Sequence, residues 1–335
     1  MARITVLGAG SWGIATSVLL CSNGHQVILW EFDRMELTKL LQQREHKRKL
    51  PGIVIPQEIG ITDDLTTVAS EAELLVLALP SHTVRGVARK LAELNLADSV
   101  IVNLAKGIEN ETLCRMSEIL KQELPLKLHK RIATLSGPSH AEEVAAKIPT
   151  TVVVAGFREE IAKKVQETFM NPYFRVYTNS DIIGVELGGS LKNVIAIAAG
   201  ICDGMGLGDN SRGALIARGL AEIIRLGEKM GAKRETFAGL SGLGDLVTTC
   251  ISKYSRNRYV GEQIGKGETL DKVLKGMVMV AEGVKTTESA YKLSLRHEVE
   301  MPITEQVYKV LFEDKEPHRA IAQLMTRDPK SEIWG

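Results

Sequence analysis

The sequence lacks the residue patterns on which many chemistries depend. Its four cysteines, Cys21, Cys114, Cys202 and Cys250, lie far apart and form no C-x-x-C pair. That argues against a zinc site or a disulfide framework and fits a reducing compartment. Each reads as a small buried apolar residue rather than a nucleophile. No serine stands in a G-x-S-x-G elbow and no cysteine has a motif-level histidine partner, so covalent catalysis has no support. No His/Asp/Glu cluster has ligand spacing, so no metal is expected. The net charge is only +1. No global field draws nucleic acid or acidic lipid, and an anionic partner must find a local site. No apolar stretch reaches the roughly 18 residues of a membrane span. The longest, 194–201, is flanked by Lys192 and Asp203, so no integral membrane association is expected. The basic run 44–49 has no interleaved aromatics and reads as a solvated loop rather than a nucleic-acid patch. Strand character begins at once, so no signal or transit peptide is expected and the location is read as cytoplasmic.

What is present is ordinary in bulk and specific in detail. A chain of 335 residues, 44% hydrophobic and 25% charged, is globular and long enough for two domains. A β-prone run, 4–7, leads directly into Gly8-Ala-Gly-Ser-Trp-Gly13 and then into a helical pattern. Gly10 lets the backbone approach a pyrophosphate, and Gly13 lets the new helix lie close to the strand. The helix N-terminus turns its N–H groups toward the phosphates. A second apolar run, 27–30, ends at Glu31, where a ribose hydroxyl is normally held. Strand, glycines, helix, strand and acid in register predict a dinucleotide site and favour hydride transfer.

Further strands are predicted at 74–79, 100–104, 132–135, 151–154 and 175–177, with helical patterns between most of them. This alternation predicts an α/β fold, a Rossmann-type doubly wound and mostly parallel sheet. Gly8, Glu31, Pro80-Ser81, Lys106 and Gly137 fall at the carboxyl ends of strands, where such sheets bind ligands. Strand signals stop near Asp181 and helical periodicity takes over. The expected division is an NAD(P)-binding domain at 1–180 and an all-α substrate-binding and catalytic domain at 181–335, with the substrate between them.

Several residues could carry chemistry. Lys192 lies in the helical stretch 183–200, and its face carries Val185, Gly188, Gly189, Ala196 and Ala199. Glycines inside a helix cost roughly 1 kcal/mol each, so a close contact must offset them. A lysine buried there has its pKa lowered and suits acid–base work, although a snorkelling surface lysine fits equally. Lys106, at a strand end beside Gly107, points at the ligand crevice. In Ser136-Gly-Pro-Ser-His-Ala-Glu142, Gly137 permits close approach, and Ser139 with Glu142 forms a capping box. His140 reads as an exposed or packed residue of the first helical turn. In Gly239-Leu-Ser-Gly-Leu-Gly-Asp245, Asp245 is either a helix N-cap or the acceptor of a bond from Lys192 or a substrate hydroxyl. Ser255-Arg-Asn-Arg258 is the best local anion site outside the glycine turn, with an exposed polar turn as the competing reading.

These motifs, with Ala105-Lys-Gly107, Gly184-Val-Glu-Leu-Gly-Gly-Ser-Leu-Lys-Asn-Val194, Ala281-Glu-Gly283 and Met301-Pro-Ile-Thr304, carry a resemblance over nearly the whole chain. It resembles the bacterial NAD(P)-dependent glycerol-3-phosphate dehydrogenases. The resemblance implies reversible reduction of dihydroxyacetone phosphate to sn-glycerol 3-phosphate, a supply route to glycerophospholipids, and a homodimer. It implies Lys192 as proton donor and acceptor, with Lys106, Gly137, Ser139, Asp245, Ser255, Arg256 and Asn257 around the substrate. Cofactor contacts carry over to Gly8, Gly10, Ser11, Trp12, Gly13, Lys106, Ala141, Arg256, Val280 and Glu282. Phe32 holds a position where some members have a polar or basic cofactor contact. Both NADH and NADPH remain open: Glu31 repels a 2′-phosphate, whereas Arg34 could receive one, and the resemblance admits both cofactors and leans to NADPH. The competing readings are a β-hydroxyacid-type dehydrogenase with a carboxylated substrate and a non-enzymatic NAD(P)H-binding redox sensor.

Overall fold

A computed structural model describes residues 1–96 and 98–332. Among them the strands are β1 (Arg3–Leu7), β2 (Gln26–Trp30), β3 (Glu45–His46), β4 (Leu50–Val54), β5 (Gly60–Thr62), β6 (Leu74–Leu77), β7 (Val100–Asn103), β8 (Ile132–Ser136), β9 (Thr150–Gly156) and β10 (Phe174–Asn179). The helices through residue 180 are α1 (Ser11–Ser22), α2 (Arg34–Gln43), α3 (Leu65–Ser70), α4 (Val84–Ala92), α5 (Met116–Glu123), α6 (Ala141–Ala145) and α7 (Glu159–Phe169). Beyond it lie α8 (Ile182–Gly204), α9 (Asp209–Lys229), α10 (Arg234–Phe237), α11 (Asp245–Ile251), α12 (Arg256–Gly265), α13 (Leu270–Gly276), α14 (Glu282–Arg296), α15 (Pro302–Phe312) and α16 (Pro317–Met325). Two compact units result: residues 1–106 with 114–186, and 107–113 with 187 onward.

The first unit is built on an eight-stranded sheet of order β10-β9-β8-β7-β6-β1-β2-β5. All neighbours are parallel except β8 and β9. The chain leaves β1 toward β2 on one side and returns to β6 on the other, so the order reverses at β1. That reversal opens a crevice at the carboxyl ends of the strands. Alternate residues of each strand serve opposite faces. Val6, Leu29, Val76 and Val102 join Ile14, Leu19 and Phe169 in one core; Leu7, Leu75, Leu77 and Ile101 join Val84, Leu91 and Leu120 in the other. Each such side chain contributes about 1.5–3 kcal/mol on full burial.

Glu186, in the first turns of α8, is a buried polar hub of this unit. Its Oε1 accepts from Ser117 N at 2.8 Å and Thr134 Oγ1 at 3.2 Å; its Oε2 accepts from Arg115 Nη1 and Ser117 Oγ, both at 2.6 Å. Burial raises the carboxyl pKa above its ordinary value, against the opposing pull of Arg115 and the donors. These bonds tie the start of α5 and strand β8 to α8.

Three expectations need correction. The run 44–49 is only in part a solvated loop: Lys47 and Arg48 are exposed in a turn, but the run enters the β3–β4 hairpin. Arg44 donates to the carbonyls of Ile55, Pro56 and Ile59, and His46 is buried. One helix, Ile182–Gly204, is long and apolar enough by composition to span a membrane, but 94% of its apolar window is buried inside the protein. It is a core helix here. Of the cysteines, Cys202 and Cys250 are buried, while Cys21 and Cys114 are only partly so. Burial pushes the Cys250 thiol up to about 12, which keeps it protonated and unreactive.

Candidate active site

The first unit gathers its candidates at one edge of the sheet. The pairing Leu7↔Trp30 and Leu7↔Leu77 brings Gly8 to the centre of that edge. Gly8 has φ +106° and donates from its N–H to the Trp30 carbonyl at 3.0 Å. A Cβ at Gly13 would sit 1.8 Å from the Gly8 carbonyl oxygen, so only glycine allows α1 to start this close to β1. A Cβ at Gly10 would meet nothing within 4 Å. No side chain caps α1, and its first turn, Ser11-Trp12-Gly13, holds no acid. The turn therefore combines open room with backbone N–H groups and a positive helix end, a combination that fits a pyrophosphate.

At the end of β7, Asn103 accepts from Ala105 N at 3.1 Å and donates to Ala105 O at 3.0 Å. This side chain–backbone turn sets the direction of Lys106. Lys106 Nζ donates to the Gly137 carbonyl at 3.0 Å, and Ser139 Oγ donates to the same oxygen at 2.9 Å. Lys106, Gly137 and Ser139 thus converge. The capping box expected at Ser139 is absent: α6 begins at Ala141, and His140 is its N-cap residue with no side-chain cap bond. Ser139 is turned back onto Gly137 instead. Phe32 is largely exposed, with its ring 6.3 Å from that of Trp30.

The second unit buries the other cluster. Lys192 is only 6% exposed, and its Nζ donates to Asp245 Oδ1 at 2.5 Å and to Thr249 Oγ1 at 2.6 Å. Thr249 Oγ1 donates its own hydrogen bond to the Asp245 carbonyl oxygen at 2.6 Å, which leaves its oxygen lone pairs to accept from the amine. The glycine stripe explains how the lysine becomes buried. A Cβ at Gly188 would lie 2.5 Å from the Ser241 carbonyl oxygen. The segment Leu240–Gly244, a π-type turn running straight into α11, can thus press against α8. This also settles the two readings of Asp245. Gly244 already has helical angles (φ −59°, ψ −52°). Asp245 is therefore inside the helix rather than its cap, and its carboxylate faces Lys192.

The segment Ser255-Arg-Asn-Arg258 forms the start of α12. Ser255 Oγ caps it by accepting from Arg258 N at 3.2 Å. Asn257 Oδ1 accepts from Gly283 N at 2.8 Å, which places Asn257 beside Glu282 at the start of α14. Arg256 and Val280 are exposed. Arg258 is committed inward: its Nε is 2.6 Å from Asp203 Oδ2, and Arg212 binds the other carboxylate oxygen. Thr249, Asn103 and Asp203 escaped the sequence reading. Thr249 could have been found, because it lies one helical turn after Asp245 on the same face.

The comparisons with known proteins follow this geometry. Residues 3–162 match the profile of the NAD-dependent glycerol-3-phosphate dehydrogenase N-terminus, and residues 181–322 match that of its C-terminus. The chain belongs to the NAD-dependent glycerol-3-phosphate dehydrogenase family. Among its relatives, the Thermoanaerobacter sp. (strain X514) protein named glycerol-3-phosphate dehydrogenase (NAD(P)+) is 51% identical over 99% of both chains. The protein of the same name from Chlorobium phaeobacteroides (strain BS1) is 52% identical over 99% of both. The crystal structure of a glycerol-3-phosphate dehydrogenase from Coxiella burnetii superposes with a TM-score of 0.93 at 37% identity, covering 97% of this chain and 99% of that one. A D-mandelate dehydrogenase structure shares the fold alone, at TM-score 0.63 and 12% identity.

One family motif, Met301-Pro-Ile-Thr304, has a structural role. Glu222, buried in α9, accepts from Ile303 N at 2.6 Å, Thr304 N at 3.1 Å and Thr304 Oγ1 at 3.0 Å, and so caps α15. Burial lifts its carboxyl to about 7 despite those donors. The folded chain therefore holds this proton between about pH 4.5 and 7, where the unfolded chain has lost it. The contribution to stability is present below the lower value and disappears as pH rises through the upper one, a span of ~3 kcal/mol. Denaturant unfolding from pH 5 to 8 should show wild-type stability falling relative to Glu222→Gln. A pH-independent difference between the two would contradict this assignment.

Proposed function

We propose that this chain catalyses the reversible NAD(P)H-dependent reduction of dihydroxyacetone phosphate to sn-glycerol 3-phosphate, with Lys192 as the proton donor and acceptor. The observation that carries the reading is the buried Lys192–Asp245–Thr249 cluster. A carboxylate and a hydroxyl oxygen hold the amine in one place. It can then give a proton to the carbonyl oxygen as charge builds there. Asp245 and Thr249 position the lysine, and Lys106 polarises the same carbonyl. Gly137, Ser139, Ser255, Arg256 and Asn257 surround the substrate, with the start of α12 taking its phosphate. That phosphate is remote from the reacting carbon, and its binding energy orients the ketone.

The glycine turn, Ser11, Trp12, Phe32, Lys106, Ala141, Arg256, Val280 and Glu282 hold the dinucleotide. When bound, the nicotinamide supplies the hydride and, in the reverse direction, accepts it. The product is the backbone unit of glycerophospholipids. Family resemblance further supports a homodimer acting in the cytoplasm, which sedimentation and fractionation would check.

The assay is oxidation of NADH and of NADPH, followed separately by absorbance, with dihydroxyacetone phosphate or a carboxylated semialdehyde as acceptor. Turnover is expected with the phosphorylated ketone and not with the semialdehyde. The reverse preference would support a β-hydroxyacid dehydrogenase. Tight cofactor binding without turnover of any phosphorylated ketone would support a redox sensor.

A further inference from the structure

We infer that the protein selects NAD(H) over NADP(H), and that Glu31 enforces the choice. The inference rests on the reading of the glycine turn as a dinucleotide site. Its observations lie at the end of β2. The Gly8 N–H bonds the Trp30 carbonyl at 3.0 Å, so the residue after Trp30 stands immediately beside the turn. That residue is Glu31, and it is held on two sides. Its N–H donates to the Thr62 carbonyl at 2.9 Å, and its Oε1 accepts from Asp33 N at 3.0 Å. With only 4% of its surface exposed, the side chain is fixed at the strand end and does not swing away from an approaching anion.

The neighbours add negative charge. Asp33 caps α2, with its Oδ1 accepting from Met35 N at 2.8 Å and Glu36 N at 3.1 Å. Asp63 directly follows β5, and its carbonyl accepts from Trp30 Nε1 at 3.1 Å, which places it beside the end of β2. The base that could have received a 2′-phosphate, Arg34, has its Nε 3.3 Å from Asp63 Oδ2, with 89% of its side chain exposed. Such an exposed pair is weak, so Arg34 is not locked in place. Its charge is nonetheless matched by Asp63, and Glu31 and Asp33 remain in excess. A ribose 2′-hydroxyl donates well to a fixed carboxylate. A 2′-phosphate offers acceptors only and brings like charge to it. Like-charge juxtaposition of this kind disfavours the wrong ligand by on the order of 100-fold.

The test is direct binding to the full-length protein by calorimetric titration with NADH and with NADPH, independent of turnover. Wild type is expected to bind NADH on the order of 100-fold more tightly than NADPH. In Glu31→Ser the ratio should shrink by about tenfold or more, chiefly through tighter NADPH binding. Glu31→Gln keeps an acceptor for Asp33 N and removes only the charge. It should move the ratio in the same direction, and it serves if the serine variant does not fold. Equal affinities in wild type, tighter NADPH binding, or a ratio unchanged in a folded variant would each overturn the inference. Failure of both nucleotides to bind would instead overturn the dinucleotide reading beneath it.

Discussion

Lys192→Ala should lower turnover of dihydroxyacetone phosphate by about 10²–10⁴-fold, the range a positioned general acid contributes. Affinity for NADH should be little changed, because the glycine turn lies in the other unit and does not depend on this amine. The loss has a structural component as well. Asp245 is 2% exposed, and the substitution takes the lysine's positive charge away from a buried carboxylate, which costs up to about 3–5 kcal/mol. Thermal melting therefore has to accompany the kinetics. Lys192→Met fills more of the vacated volume and should show the same kinetic loss with less destabilisation. A folded Lys192→Ala protein that turns over near the wild-type rate would remove this lysine from the chemistry.

The second large effect is expected at Gly261→Ala. Helices α8 and α12 meet backbone to backbone through two glycine rows spaced one turn apart. A Cβ at Gly200 would lie 1.9 Å from Arg258 O, at Gly204 2.2 Å from Glu262 O, at Gly261 2.0 Å from Ile197 O, and at Gly265 2.4 Å from Ile201 O. The nearest atoms are all main chain, so a methyl group at 261 cannot be absorbed by a rotamer change and must drive the helices apart. The Asp203–Arg258 ion pair bridges the same two helices. Helix α8 carries Lys192 and Ser255 caps α12, so separating them misplaces two parts of the proposed site at once. Overpacking of this kind costs about 1–3 kcal/mol. A displacement near 1 Å reduces kcat/KM on the order of 10²-fold. Gly213→Ala is the control: a Cβ there meets nothing within 4 Å in the second turn of α9, so it should be neutral or slightly stabilising. Equal behaviour of the two variants would refute the close-packing argument.

Much of this was legible in the sequence where local and global signals agreed. The β1–glycine–α1–β2–Glu31 unit showed a strand, a turn with sterically specific glycines, and a helix in immediate succession. Lys192 stood out because a helical glycine pair is costly without a close contact, and Ser241 supplies that contact. Short polar elements were hidden. Strand β3 has two residues and no alternation, and it forms through pairing with β4. The antiparallel pairing of β8 with β9 was not legible either. The segment between them looked like another crossover, but α6 has only five residues. Ser139 misled for a related reason. A cap motif fixes where a helix can start, but the turn at Gly137, with φ +127°, delays the start to Ala141. Asp203 and Arg258 lie far apart in the chain, and only the glycine-lined crossing of α8 and α12 brings them together.

The central claim, that an amine on α8 delivers the proton to the ketone oxygen, is tested most directly by chemical rescue. Folded Lys192→Ala protein is assayed with saturating NADH and dihydroxyacetone phosphate across a series of small primary amines. The account predicts a rate that rises with amine concentration and depends on amine pKa. A rate that stays near the wild-type value without amine would contradict it, as would a depressed rate that no amine restores.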